Sequence, residues 1–437
     1  MRKAALHNLG CKVNSYETEA MTQLLKKAGY KIVSFQDQAD VYIINTCSVT
    51  NMADRKSRQM LHKAKKQNPN AVVVATGCYV QTATEKAVQD LSIDLVVGNN
   101  RKKYIVEILN EYYAEKEAGE QVKEEYVIDI NHTDEYEDLE ISTVTEHTRA
   151  HLKIQDGCNN FCSYCIIPYA RGRIRSRTMK SIKAELERLS ASGFKEIVLT
   201  GINLSCYDDN GKKLIDVIEM ADNVNGIERI RLGSLDPEVV TEDFVERLGK
   251  VKKICPHFHF SLQSGCDKTL KAMNRHYTSD EYYEKCQLIR KYIDNPAFTT
   301  DVIVGFPGET EEDYISSREF VKKVKFAELH VFKYSKRDGT VAAKMPNQID
   351  EKIKTLRSED LIKTGEELTK EFRQAKIGQD TTVLFEEKIL LDNKEYWVGH
   401  TVDYIKIAVP EKENLEGQIR KVNVKDFLTN EIMLATM

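Results

Sequence analysis

Gly157-Cys-Asn-Asn-Phe-Cys-Ser-Tyr-Cys-Ile166 sets Cys158, Cys162 and Cys165 at Cys-x3-Cys-x2-Cys spacing, with no fourth cysteine close by. Thiolates this close together wrap one compact metal centre. A structural zinc takes four protein ligands, usually as two separated pairs. A cubane 4Fe-4S cluster has four irons, so three cysteines leave one iron open to bind something else. An open iron is what a catalytic cluster needs. The plain alternative is a zinc knuckle or chance clustering.

The spacing resembles the signature of the radical S-adenosylmethionine (SAM) superfamily, in which the free iron chelates the amino and carboxylate groups of SAM. The sequence around it fits a barrel. His151-Leu-Lys-Ile-Gln155 reads as a strand leading into the cysteine loop, and Thr178 to Ser192 as an amphipathic helix with Ile182, Leu186 and Leu189 on one face. Strands are expected at 196–200, 229–233, 257–261, 299–304 and 327–332, mostly separated by helices. Six parallel strands of this kind predict a partial (β/α)6 barrel with its chemistry on the carboxyl-end loops. Tyr164, Gly201, Asn203, Ser234, Gln263, Arg275 and Asp301 are then the candidate SAM contacts. Arg275 offers a fork suited to a carboxylate. His257 and His259 share one face of a strand; packing in the barrel wall is expected of them rather than metal ligation. Cys206, Cys255, Cys266 and Cys286 have no common spacing and stay outside the clusters.

A second trio lies nearer the start. The apolar runs 3–8, 40–44 and 71–75 end close before Cys11, Cys47 and Cys78, and helical patterns separate them (15–28 and 52–66). Alternating strands and helices indicate a doubly wound parallel sheet, whose ligand sites form at the carboxyl ends of the strands. The three cysteines are therefore expected to converge on one edge and hold a second cluster, with Gly10 and Gly77 letting the backbone bend tightly. Three unrelated buried thiols are the alternative.

Arg171, Arg173, Arg175 and Arg177 occupy every second position. In an extended segment they would project from one side and could grip RNA phosphates; a solvated charged face is the alternative. Arg55, Lys56 and Arg58 make a second basic spot near Cys47. Residues 113–148 are acidic and read as a surface connection carrying a short strand or two, with Tyr126-Val-Ile-Asp129 as a candidate. After a helical stretch over 350–376, five short strands are expected, a compact β-barrel of a kind common in nucleic-acid binding. Trp397 and Tyr404 there are expected to fill space rather than stack on a base.

Composition sets limits. With 41% hydrophobic and 30% charged residues and a formal net charge of −4, any affinity for nucleic acid must come from local patches. No apolar run approaches the ~18 residues of a membrane span, and the polar start does not read as a secretory signal. A cytoplasmic protein is expected, with its 10 cysteines serving metal or redox chemistry rather than disulfides.

Together these features resemble the radical SAM methylthiotransferase family over essentially the whole chain. The expected fold class is α/β: a doubly wound N-terminal domain (1–112), a linker (113–143), a radical SAM core (144–372) and a TRAM β-barrel (373–437). Asn45-Thr-Cys-Ser-Val-Thr50, Lys56-Ser-Arg-Gln59 and Ile154 to Gly172 look most like the members acting on threonylcarbamoyladenosine in tRNA. Val341, where proline is usual, and Asp208, where glycine is usual, depart from that pattern.

The resemblance implies two 4Fe-4S clusters, one on Cys11, Cys47 and Cys78 and one on Cys158, Cys162 and Cys165. The first supplies a methylated sulfur and the second cleaves SAM to a radical. Implied partners are the tRNA anticodon loop and an electron donor such as flavodoxin or ferredoxin. Rival readings are action on isopentenyladenosine in tRNA, action on an aspartate of a ribosomal protein, and a non-catalytic iron–sulfur RNA-binding protein.

Overall fold

The computed structural model describes all residues except 121, 123 and 142–147. The expected start of the radical SAM core, at 144, lies outside the described residues. The first sheet has six parallel strands in the order β2-β1-β3-β4-β5-β6: β1 (Lys3–Asn8), β2 (Lys31–Ile32), β3 (Val41–Thr46), β4 (Val72–Gly77), β5 (Leu95–Val97) and β6 (Glu125–Tyr126). β3 and β4 are buried along their whole length, as strands covered on both faces must be.

Helix α1 (Lys12–Lys27) begins at Cys11 and ends on Lys26 and Lys27, which suit the negative end of its dipole. Helix α2 (Asn51–Gln67) is capped by Thr50, whose hydroxyl accepts from the Ala53 N–H at 3.1 Å. Apolar residues from the sheet's two faces form separate clusters, one around Tyr42, Leu61 and Val73, the other around Met21, Ile43 and Leu109.

The second unit is the incomplete barrel. Its first strand, β7 (Arg149–Lys153), runs into β8 (Gln155–Asp156), which pairs antiparallel with β9 (Arg175–Ser176) across the cysteine loop. Then come β10 (Glu196–Thr200), the short hairpin β11 (Asp208–Asp209) and β12 (Lys212–Lys213), and β13 (Arg229–Leu232), which continues as β14 (Ser234–Leu235). β15 (His257–Phe260), β16 (Ala297–Val304) and β17 (Glu328–Lys333) complete the wall, and every pairing along it is parallel. Its large apolar core includes Leu152, Leu199, Phe258, Phe260 and Phe298. The helix predicted over 178–192 spans Met179–Ala191, with Ile182, Leu186 and Leu189 buried.

A helix over Glu351–Gln374 leads to a closed five-stranded barrel: β18 (Asp380–Leu391), β19 (Lys394–Thr401), β20 (Lys406–Pro410), β21 (Ile419–Phe427) and β22 (Met433–Thr436). It packs against the amino ends of the large barrel's strands. Arg229 donates to the carbonyls of Thr382 (2.8 Å) and His400 (3.0 Å), and Arg231 to those of Thr401 and Val402 (both 3.0 Å). Buried Glu196 balances both guanidinium groups. Tyr404 is wedged between the rings of His257 (4.8 Å) and His400 (4.7 Å), and Trp397 lies in the small barrel's core. Both aromatics, and His257, are thus used internally. No helix among the described residues is long and apolar enough to cross a membrane.

Candidate active site

Cys11, Cys47 and Cys78 lie immediately beyond β1, β3 and β4, at the carboxyl edge of the first sheet. The turn before Cys11 requires glycine. Gly10 has φ +116°, and a Cβ there would sit 2.9 Å from Cys47 Cβ and 3.0 Å from its Sγ. The Arg171 Nε–H points at Cys78 Sγ from 3.4 Å, and Asn99 Nδ2 lies 3.9 Å from the same sulfur. Burial pushes the Cys47 thiol up to about 11, with Cys78 and Cys11 adding to the rise. Left bare, such a thiol stays neutral at pH 7; a bound metal cation would turn it into a thiolate.

The second trio is held by its own loop. The Asn160 N–H approaches Cys158 Sγ at 3.5 Å, and Arg275 Nη1 approaches Cys162 Sγ at 3.4 Å. Burial, then the neighbouring Cys162, pushes the Cys165 thiol up to about 12. Soft donors in threes, each trio met by N–H groups directed at sulfur, fit iron–sulfur clusters with one open iron apiece. Cys206 is close enough to Cys158 to feel its charge, but it does not line the cavity described next.

A cavity of about 780 Å³ joins the two trios: Cys11, Cys158, Cys162 and Cys165 all line it. Cys11 is therefore solvent-accessible yet enclosed. Tyr164, Gly201, Asn203, Ser234, Gln263, Arg275 and Asp301 line the same cavity. A second cavity, of about 820 Å³ between α1 and the edge of the first sheet, is lined by no cysteine.

Arg275 differs from expectation. Its fork is already engaged by Asp236 Oδ2 at 2.6 Å and the Tyr277 hydroxyl at 3.1 Å, so it braces Cys162 rather than presenting an open clamp. Asp236, Lys12, His259 and His330 also line the cavity but were not foreseen there. Only convergence of separate strand ends brings them in, and no local spacing announces it.

The arginine row needs correction. A helix over Ile167–Arg171 and the strand β9 are separated by Gly172 at φ +70°, so the segment is not extended. Arg171, Arg175 and Arg177 are buried, at 0, 3 and 1% exposure. Internal carboxylates take them up: Glu17 and Asp156 meet Arg171, Asp156 lies 3.8 Å from Arg175, and Glu185 lies 2.6 Å from Arg177. Glu17 also binds Lys102 and Lys153, both at 2.8 Å, and Lys153 reaches Asp156 at 2.6 Å. Burial favours the neutral acid, but Arg171, Lys102 and Lys153 outweigh it and hold the Glu17 carboxyl well below the usual range. This network joins the first unit to the barrel directly behind Cys78. Arg173 alone is half-buried, its guanidinium 4.6 Å over the Phe161 ring.

The fold and the Cys158 loop define a radical SAM protein, and comparison agrees: the radical SAM superfamily model matches residues 152–321. Residues 3–98 match the model described as uncharacterized protein family UPF0004. A Bacillus subtilis protein named threonylcarbamoyladenosine tRNA methylthiotransferase MtaB is 41% identical, covering 97% of this chain and 94% of its own. A protein of the same name from Aquifex aeolicus is 39% identical, covering 90% and 95%. The tRNA-2-methylthio-N(6)-dimethylallyladenosine synthase of Pelotomaculum thermopropionicum is 34% identical over 88% and 87%. Among solved structures, the radical SAM methyltransferase TsrM of Kitasatospora setae superimposes with TM-score 0.57 at 17% identity, over 76% of this chain and 73% of that one; it shares the fold. The chain belongs to the radical SAM methylthiotransferase family.

Proposed function

We propose that this protein converts threonylcarbamoyladenosine at position 37 of tRNA, beside the anticodon, to its 2-methylthio derivative. One observation carries the reading: Cys11 of the strand-end trio and all three loop cysteines open onto one cavity. Joining sulfur to an adenine carbon needs both centres within reach of one base. The names of the relatives at 41% and 39% identity support the threonylcarbamoyl substrate.

Cys158, Cys162 and Cys165 would hold the catalytic cluster, and Cys11, Cys47 and Cys78 a second one. The bound groups supply one-electron cleavage of SAM to a carbon radical, together with a sulfur for transfer. The chain's own residues bind, orient and exclude water. Tyr164, Gly201, Asn203, Ser234 and Gln263, which line the cavity, would contact SAM, while Asp301 faces His259 at 3.5 Å. Arg275 and Asp236 fix the cysteine loop, since a charged pair this enclosed holds its geometry. A base in an anticodon loop is already accessible to such a cavity.

With the arginine row internal, exposed cations remain for phosphate contacts: Arg55, Lys56 and Arg58 on α2, and Arg420, Lys421 and Lys425 on β21. The division into an N-terminal domain (1–112), linker (113–143), radical SAM core (144–372) and TRAM barrel (373–437) is part of this proposal. So are a flavodoxin or ferredoxin as reductant and a cytoplasmic location, which a tRNA substrate requires. The division is corrected in that 113–143 is no mere surface connection: it gives β6 to the first sheet and buries Ile130, Leu139 and Ile141.

Mass spectrometry of tRNA nucleosides from cells with and without the gene tests the reading. Loss of methylthiolated threonylcarbamoyladenosine is expected. Loss of the methylthiolated isopentenyl nucleoside instead would overturn the substrate assignment.

A further inference from the structure

The cavity holds charge that the cluster ligands and their braces do not explain. Lys12 directly follows Cys11, lines the cavity and is solvent-accessible there. Among the described residues no carboxylate lies within ion-pair distance of its ammonium. In the same cavity His259, Asp301 and His330 each bring a polar atom within 4.8 Å of the others. The Thr299 hydroxyl engages His259 Nδ1 at 3.1 Å, leaving Nε2 toward Asp301 Oδ1 at 3.5 Å. His330 stacks on His259 at 5.8 Å.

A cavity-lining cation without an ion-pair partner is suited to an anion arriving with the ligand, which it meets with a charge-assisted hydrogen bond. A carboxylate such as Asp301, with its neighbouring imidazoles, suits the opposite need, a ligand's O–H or N–H. We propose that Lys12 reads the carboxylate of the threonylcarbamoyl group, and that the His259–Asp301–His330 trio takes its hydroxyl and ureido N–H groups. This rests on the substrate reading above and gives it a physical basis. A hydrocarbon substituent such as isopentenyl would desolvate Lys12 and give it no partner. Sites built around polar ligand groups reject analogues that lack them.

The test measures binding by the anaerobically reconstituted full chain. The probes are anticodon stem-loop RNAs carrying threonylcarbamoyladenosine, its carboxylate methyl ester, or isopentenyladenosine. The wild-type protein should bind the free acid about 10- to 100-fold more tightly than the ester, the range for a charge-assisted hydrogen bond. Lys12→Met should bind acid and ester alike, and Lys12→Arg should keep the preference. The acid–ester comparison needs no variant, so it stands even if Lys12→Met fails to fold. Equal wild-type affinity for acid and ester would overturn the inference, as would a Lys12→Met protein that still prefers the acid. Weaker SAM binding by Lys12→Met with the acid–ester ratio intact would also overturn it, assigning Lys12 to the SAM carboxylate. A wild-type preference for the isopentenyl RNA would sink the substrate reading itself and this inference with it.

Discussion

Cys158, Cys162 and Cys165 come from one loop, whereas Cys11, Cys47 and Cys78 are delivered by the ends of three parallel strands. The loop trio needs little beyond the loop's own backbone and the brace from Arg275. The strand-end trio depends on the register of the whole first sheet and on Arg171, which reaches Cys78 from the other unit. One trio is thus a property of local chain geometry, and the other a property of an interface. Disturbing the interface should therefore damage one centre and spare the other.

Deleting ligands gives the largest expected effect and divides the two trios cleanly. Cys158→Ala should abolish 5′-deoxyadenosine formation from SAM. Cys78→Ala should abolish methylthiolated product while SAM cleavage persists. Each variant should retain about four irons per chain where the wild type holds about eight. Product formation by Cys78→Ala would show that the strand-end trio is not a reaction centre.

The same contrast explains what the sequence made legible. A loop motif is visible as spacing. The strand-end trio was visible because parallel strands put their ends on one edge, so each cysteine's place followed from the run before it. The short strands β2 and β5 carried too few residues to show a period. The fate of Arg171, Arg175 and Arg177 was hidden for a different reason. Alternating cations look like a solvent-facing row until their carboxylates are known, and Glu17 lies far away in the chain. Likewise Arg275 looked like an open fork because Asp236, which closes it, belongs to another strand end.

Arg171 is the next place to press. It is fully buried, and its loss would leave Glu17 to Lys102 and Lys153 and remove the donor facing Cys78. Breaking a buried charge network by removing one member costs about 3–5 kcal/mol. Arg171→Met should therefore lower the unfolding midpoint in denaturant and release iron from the strand-end trio first, with SAM cleavage outlasting methylthio transfer. Equal loss of iron from both trios would contradict the idea that the interface supports only one of them.

The smallest effect is the pH dependence of that interface. Glu17 is ionised in the folded protein because Arg171, Lys102 and Lys153 overcome the penalty of burial, and its carboxyl sits well below 4.5. In the unfolded chain it protonates near the ordinary value, so the unfolded state takes up a proton that the folded state does not. The stabilisation is fully present above about pH 4.5 and is lost as pH falls toward the folded-state value. One proton limits the slope to about 1.4 kcal/mol per pH unit. Denaturant unfolding of the metal-free chain at pH 6, 5 and 4 (acid dissolves iron–sulfur clusters) should show stability falling more steeply for the wild type than for Glu17→Gln. The variant starts lower, since its amide cannot answer three cations, but it lacks this proton uptake. Parallel pH curves for the two proteins would mean that Glu17 is protonated inside the fold, and that the cations behind Cys78 find their counter-charge in Asp156 alone.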